Sequence, residues 1–215
     1  MHRFLAGLFV LCALSPIAAQ KPTQDVGAGT ITGNQFRSAF FKFSYEFPKG
    51  WHYLSPDKVK AENEGAYRKA VENSLKDNGP DSVTVSGNTT TTRTTEVVTP
   101  VNLLIAAPSA IATSESDATP RVRVWAHQRL PQLLNSADDH AKTLTMIAKT
   151  VLFPATEVTI NGHKFVRIDV LHKDGLYHSN VMTVCGDYLV GFDFYALRKE
   201  DLRTLAETIR TVRFD

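Results

Sequence analysis

Residues from Glu157 to Phe214 constrain this chain more than any other stretch. They read as three strands in tandem, joined by tight turns, then a helix and a short closing strand. Asn161-Gly162 after Val158-Thr159-Ile160 readily takes the positive φ angles of a two-residue hairpin turn. Phe165 to Leu171 alternates, with Val166, Ile168 and Val170 on one face and Arg167 and Asp169 on the other. Lys173-Asp174-Gly175 turns the chain into a strand from about His178 to Cys185, and Gly186-Asp187 turns it again. Tyr188, Val190, Phe192 and Phe194 then recur at period two. The pattern predicts an antiparallel meander with one buried face.

A one-residue slip would move every side chain to the other face, so register can be argued. A two-residue Asp174-Gly175 loop pairs Ile168 with Val181, whereas the loop Asp174-Gly175-Leu176 pairs Ile168 with Met182 and Val166 with Val184. The second keeps the apolar sets together and is preferred. It places His172 opposite His178. Beyond the meander, Leu202, Leu205, Ala206 and Ile209 fall at helical spacing, with Glu200-Asp201 at the start and Arg210 near the end, as the helix dipole favours.

Upstream, Phe41, Phe43, Tyr45 and Phe47 alternate with polar residues in one strand-like run from Asn34 to Phe47. Ser55-Pro56 starts a helix to about Lys76 with an expected buried stripe of Val59, Ala66, Tyr67, Ala70, Val71 and Leu75. Val101, Leu103 and Ile105 mark a buried strand, and Val122 to Ala126 reads as a strand at the sheet's edge. Ser136-Ala137-Asp138-Asp139 caps a helix with apolar positions at Ala141, Leu144, Ile147, Ala148 and Val151, closed by Phe153-Pro154. The threonine-rich segment 86–95 reads as a hairpin loop or surface strand edge.

The 215 residues suffice for one substantial core. Residues 1–19 have the pattern of a cleaved secretory signal peptide: basic His2-Arg3, the apolar run Phe4 to Leu14, then Ile17-Ala18-Ala19. Residues 20–33 read as a flexible mature N-terminus and 34–215 as a single domain. The expected compartment is a bacterial periplasm or the exterior, with no transmembrane segment in the mature chain. Cleavage removes Arg3 and Cys12, leaving the net charge, +2 for the whole chain, close to zero. A nucleic-acid partner would require a concentrated basic patch, and none is present. Cys185 is left without a pairable cysteine and reads as a small buried hydrophobe.

Phe43-Ser44-Tyr45-Glu46-Phe47-Pro48-Lys49-Gly50-Trp51 resembles the opening of the PsbP/Mog1/DcrB-like domains, and the helix-to-strand ending Leu202 to Phe214 resembles their close. The resemblance implies an α+β fold, an antiparallel meander flanked by helices in an α/β/α sandwich. Its members include photosystem accessory proteins, a nuclear-transport regulator and periplasmic proteins, so fold alone carries little function. A threonine-rich insertion after the first helix is not a feature of that family, and no functional residue is carried over.

Gly-x-Ser-x-Gly, His-Glu-x-x-His, Gly-x-Gly-x-x-Gly and phosphate-loop motifs are missing. Asp169 and Asp193 read as solvated or edge-paired carboxylates. His172 and His178 with Asp174 form the sharpest chemical candidate, a site for zinc or copper, against the alternative of a pair of exposed turn histidines. Trp51, Tyr53 and Trp125 are candidate contacts for a protein or peptide partner if exposed, and core filling otherwise. The sequence reading is a non-catalytic binding or assembly accessory protein of the cell envelope, with an unidentified envelope protein or peptide as partner and no cofactor. The alternatives are a metal protein using His172, His178 and Asp174, or a hydrolase assembled from residues such as His127 or His140 with Asp139.

Overall fold

A computed structural model describes residues 26–27, 29–78, 82–86, 89–93, 98–109, 120–129 and 136–215. The expected signal peptide, residues 20–25, parts of 86–95 and all of 110–119 lie outside them. The class is α+β, and every strand pair among the described residues is antiparallel.

The chain opens with β1 (Gly29–Thr32), β2 (Gln35–Ser38) and β3 (Phe43–Glu46). Two expectations are corrected here. The stretch 20–33 contributes a strand, and Val26 is already buried. The run 34–47 is two strands, broken at residues 39–42 where Lys42 takes a φ of 53°. After β4 (His52–Tyr53) comes helix α1 (Pro56–Asn78), then the hairpin β5 (Ser82–Ser86) and β6 (Thr89–Arg93), which pairs the threonine-rich segment with its neighbour. Strands β7 (Val101–Ala107) and β8 (Arg121–Gln128), helix α2 (Ala137–Ile147) and strand β9 (Thr150–Ile160) follow. The rest of the meander is β10 (His163–Leu171), β11 (Tyr177–Cys185) and β12 (Tyr188–Ala196). Helix α3 (Lys199–Ala206), a 3-10 segment (Glu207–Thr211) and β13 (Arg213–Phe214) close the chain.

Seven strands form the main sheet in the order β4-β7-β8-β12-β11-β10-β9, and β13 joins β3 to complete a second sheet, β1-β2-β3-β13. The two sheets meet through aromatic rings: Phe192 stands edge-on to Phe43 at 5.5 Å and to Tyr45 at 5.7 Å, and Phe165 lies 6.2 Å from Phe214. Leu202, Leu205 and Ala206 of α3 join the same core. On the opposite face of the main sheet, Ala137, Ala141 and Leu144 of α2 pack with Trp125, Ile168, Val170, Met182 and Leu189. Both faces of β12 are thus buried, not one as expected, because it lies mid-sheet between β8 and β11. For the same reason β8 is an interior strand rather than an edge.

Burial corrects the helices too. Of the α1 stripe, Val59 is buried, whereas Ala66 and Tyr67 are exposed and Ala70 and Val71 half-buried; α1 meets the sheet along β7, where Asn63 bonds the backbone of Asn102. Helix α2 ends at Ile147, and Ala148 is extended (φ −66°, ψ 150°), so residues 150–160, Phe153-Pro154 included, form a strand. In β7 an irregularity between Asn102 and Leu104 shifts the alternation, so Leu104 enters the core in place of Ile105.

Candidate functional site

The polar centre of the fold lies on the α2 face of the main sheet. Strands β10 and β11 pair Val166 with Met182, Ile168 with Asn180 and Val170 with His178. The preferred register was therefore off by two residues. Parity survives and the faces are as expected, but the loop is Lys173-Asp174-Gly175, with His172 N–H donating to the Leu176 carbonyl at 2.9 Å. Gly175 supplies the turn with a φ of 89°, and Asp174 Oδ1 accepts from Leu176 N–H at 3.0 Å. His172 is thus diagonal to His178 instead of opposite.

The two imidazoles meet nevertheless. His172 Nε2 lies 3.0 Å from His178 Nδ1, with ring centroids 5.2 Å apart and planes 17° from parallel. Behind them, His178 Nε2 lies 3.0 Å from Asp193 Oδ1. Asn180 Nδ2 donates to that same oxygen, Tyr195 Oη–H donates to Asp193 Oδ2 at 3.4 Å, and the Tyr195 ring stacks on His178 at 4.3 Å. Arg121 lies 4.5 Å above the other ring partner, Tyr195. Pairing of β12 with β8 sets Arg123 beside Asp193 and Arg121 beside Tyr195.

Asp193 is 3% exposed, not solvated, because β12 is central. Burial alone would raise its pKa, but His178, Arg123 and the Asn180 amide outweigh that and hold the carboxyl down at about 2. An ionised carboxylate needs donors, which fixes a proton on His178 Nε2 and leaves Nδ1 to face His172. Burial lowers the pKa values of His172 and of His140 on α2, and the neighbouring His178 lowers both further, against an opposing pull from Asp193. Burial pushes the Tyr195 phenol up, and Asp193 adds to that. Asn180 Oδ1 and Ser179 Oγ are buried without a partner among the described residues.

Of the expected metal set, His172 and His178 are brought together, while Asp174 serves the turn. No group of three or more His, Cys, Asp or Glu side chains is arranged to hold a metal among the described residues. Of the expected partner contacts, Trp125 is 3% exposed beneath α2, where His140 covers it at 5.0 Å, so it is core. Trp51 is half-buried against the core, and Tyr53 is 43% exposed with its ring edge-on to Phe47 at 5.9 Å. Asp139 belongs to the α2 cap: its N–H donates to Ser136 Oγ and its carboxylate accepts from the same hydroxyl at 2.8 Å. His127 Nδ1 sits against the Gln128 carbonyl at 2.6 Å. Cys185 borders a depression of about 430 Å³ with Phe40, Phe41 and Tyr188, and burial pushes its thiol up to about 11.

Asp169, expected to point to solvent, is largely covered and takes a two-pronged ion pair from Arg167 at 2.9 and 2.8 Å. Sequence reasoning missed Asp193, Asn180, Tyr195 and Arg123. Their signal was parity: His178 and Asn180 share the face of Met182, and Asp193 and Tyr195 share that of Leu189. Polar residues at apolar positions of two central strands mark an internal network.

A second feature lies at the sheet's margin. Strand β9 spans 11 residues, pairs with β10 on one side, and has no strand on its other side among the described residues. Val151 and Phe153 on it are 37% and 40% exposed, and Met146 and Ile147 at the end of α2 are 76% and 52% exposed. No helix among the described residues is long and apolar enough to cross a membrane.

No protein-family model matches the chain, and no curated protein matches it. Among solved structures it is similar to the solution structure of cyanobacterial PsbP (CyanoP) from Synechocystis sp. PCC 6803, at 12% identity and a TM-score of 0.43, over 94% of this chain and 100% of that one.

Proposed function

We propose that this chain is a non-catalytic accessory protein of the cell envelope that binds an extended segment of a partner protein along strand β9. The observation that supports this reading is the side of β9 that no strand covers among the described residues, next to an exposed apolar run. An open edge presents backbone N–H and C=O groups to any extended chain, and side-chain pockets beside it supply selectivity. Met146, Ile147, Val151 and Phe153 follow one another through the α2–β9 connection, four large apolar side chains within eight residues. Water contact with such side chains costs roughly 25 cal/mol per Å2, which burial against a partner recovers.

The edge is also selective. Pro154 and the register shifts between Arg167, Asp169 and Val170 interrupt the ladder, a device that discourages indiscriminate strand pairing. An occupant therefore has two short pairing segments, one on either side of Pro154, and apolar residues suited to Val151 and Phe153. The secretory pattern of residues 1–19 supports the envelope as the compartment in which that occupant is met.

Photo-crosslinking tests this in intact cells. A photoreactive residue placed at Phe153 should yield one dominant partner adduct, and Val151→Lys should suppress it while thermal stability stays within about 0.5 kcal/mol, as for most surface changes. Adducts of equal yield from Phe153 and from Lys69, on the exposed side of α1, would refute the reading.

A further inference from the structure

The geometry points to a divalent transition-metal site at His172 and His178, of the zinc and copper class, in which Asp193 positions His178. It does not depend on the β9 reading. Two ligand bonds of about 2.0–2.1 Å from one tetrahedral ion put their nitrogens about 3.3 Å apart. His172 Nε2 and His178 Nδ1 stand at 3.0 Å, so an ion on the lone-pair axis of His178 Nδ1 is reached when the nitrogens part by about 0.3 Å and the more exposed His172 ring turns off their common axis to face it.

The surroundings of His178 are those a ligand histidine requires. A ligating imidazole holds its other N–H on a carboxylate or carbonyl, which fixes tautomer and ring plane and raises its basicity. His178 Nε2 lies 3.0 Å from Asp193 Oδ1, and its ring is stacked on Tyr195 at 4.3 Å. Asn180 in turn secures Asp193. His178 Nδ1 is therefore aimed rather than free to rotate, and the buried anion beside it offsets part of the incoming charge.

His172 differs. It sits at the hairpin end and is partly open to solvent, so water can complete the coordination that two protein nitrogens begin. For a neutral pair, binding moves the His172 proton from Nε2 to Nδ1, so the nitrogen facing the ion gains its lone pair and no proton is released. Imidazole nitrogens with water suit zinc and copper better than the hard oxygen-seeking cations. Asp174, paired with Leu176 N–H, stays outside this set.

The test is calorimetric titration of the untagged, metal-free protein with zinc chloride, against His172→Ala and His163→Ala. His163 is exposed and lies tilted against the Phe214 ring at 4.3 Å, away from the site. The expected result is one ion per chain, at least tenfold weaker binding in His172→Ala, and no change in His163→Ala. Asp193→Asn should weaken binding 10- to 100-fold, the usual loss when such a partner is removed. Should His172→Ala disturb the hairpin, the wild-type protein loaded with one equivalent of Cu²⁺ answers by electron paramagnetic resonance. Two coupled imidazole nitrogens are expected. Absent stoichiometric zinc binding, equal affinity in His172→Ala, or a copper spectrum with fewer than two imidazole nitrogens would overturn the site.

Discussion

Single side chains here matter through what they leave no room for. Gly191 sits under the Trp125 ring, and a Cβ built on it would overlap the indole atoms Cε2, Cζ2 and Nε1. Trp125 is itself buried between β8 and α2, so neither partner can yield cheaply. Gly191→Ala should destabilise the protein by about 1–3 kcal/mol, the usual cost of overpacking, measured by urea denaturation. An unchanged midpoint would mean that the indole has space to move. Cys185 makes a prediction of the opposite kind. With its thiol pushed up to about 11 by burial, roughly one molecule in a thousand carries the thiolate at pH 8. Alkylation by iodoacetamide should be slow there and should accelerate as pH rises towards 11, because deprotonation is what burial opposes. The thiol's protonated preference also means that stability declines over that same rise, from the ordinary thiol range upward.

At the scale of elements, the turns carry much of the order. Asn161 takes a φ of 49° in the β9–β10 turn, and its Nδ2 donates to the carbonyls of Arg210 at 2.9 Å and Val212 at 2.7 Å. One side chain so joins the meander to the segment leading into β13. Asn161→Ala loses both bonds and a residue tolerant of positive φ, and should cost about 1–3 kcal/mol. Asn161→Gly keeps the turn and loses the bonds alone, so comparing the two melting curves separates the contributions. The meander and α3 were legible because period-two patterns fill the strands between recognisable glycine turns and a helical pattern follows them. The β2–β3 break and the true length of β9 were not, since apolar alternation continues across the one and Phe153-Pro154 read as the close of helix α2 rather than as part of the other. Proline is tolerated in β9 because the strand is an edge, a fact set by the whole sheet. The His172–His178 contact was legible in kind though not in register. Asp193 was hidden, because its burial follows from β8 lying beside β12, a pairing between strands some sixty residues apart.

For the molecule as a whole, the first sheet is closed by a strand from the far end of the chain, and the Phe214 ring of that strand joins it to the main sheet at Phe165. Ser44 pairs with Arg213 and Phe43 with Phe214, Asp215 N–H donates to the Lys42 carbonyl at 2.8 Å, and Arg37 meets the Asp215 carboxylate at 2.5 Å. That last pair is exposed and worth at most about 1 kcal/mol, so the aromatic contact between Phe214, Phe43 and Phe165 dominates the joint. Such separations raise contact order and slow folding. The first sheet stays a strand short until residues 213–214 arrive, however early β1, β2 and β3 are made. The final residues of the chain thus complete the first sheet and, through Phe214, its contact with Phe165 of the main sheet.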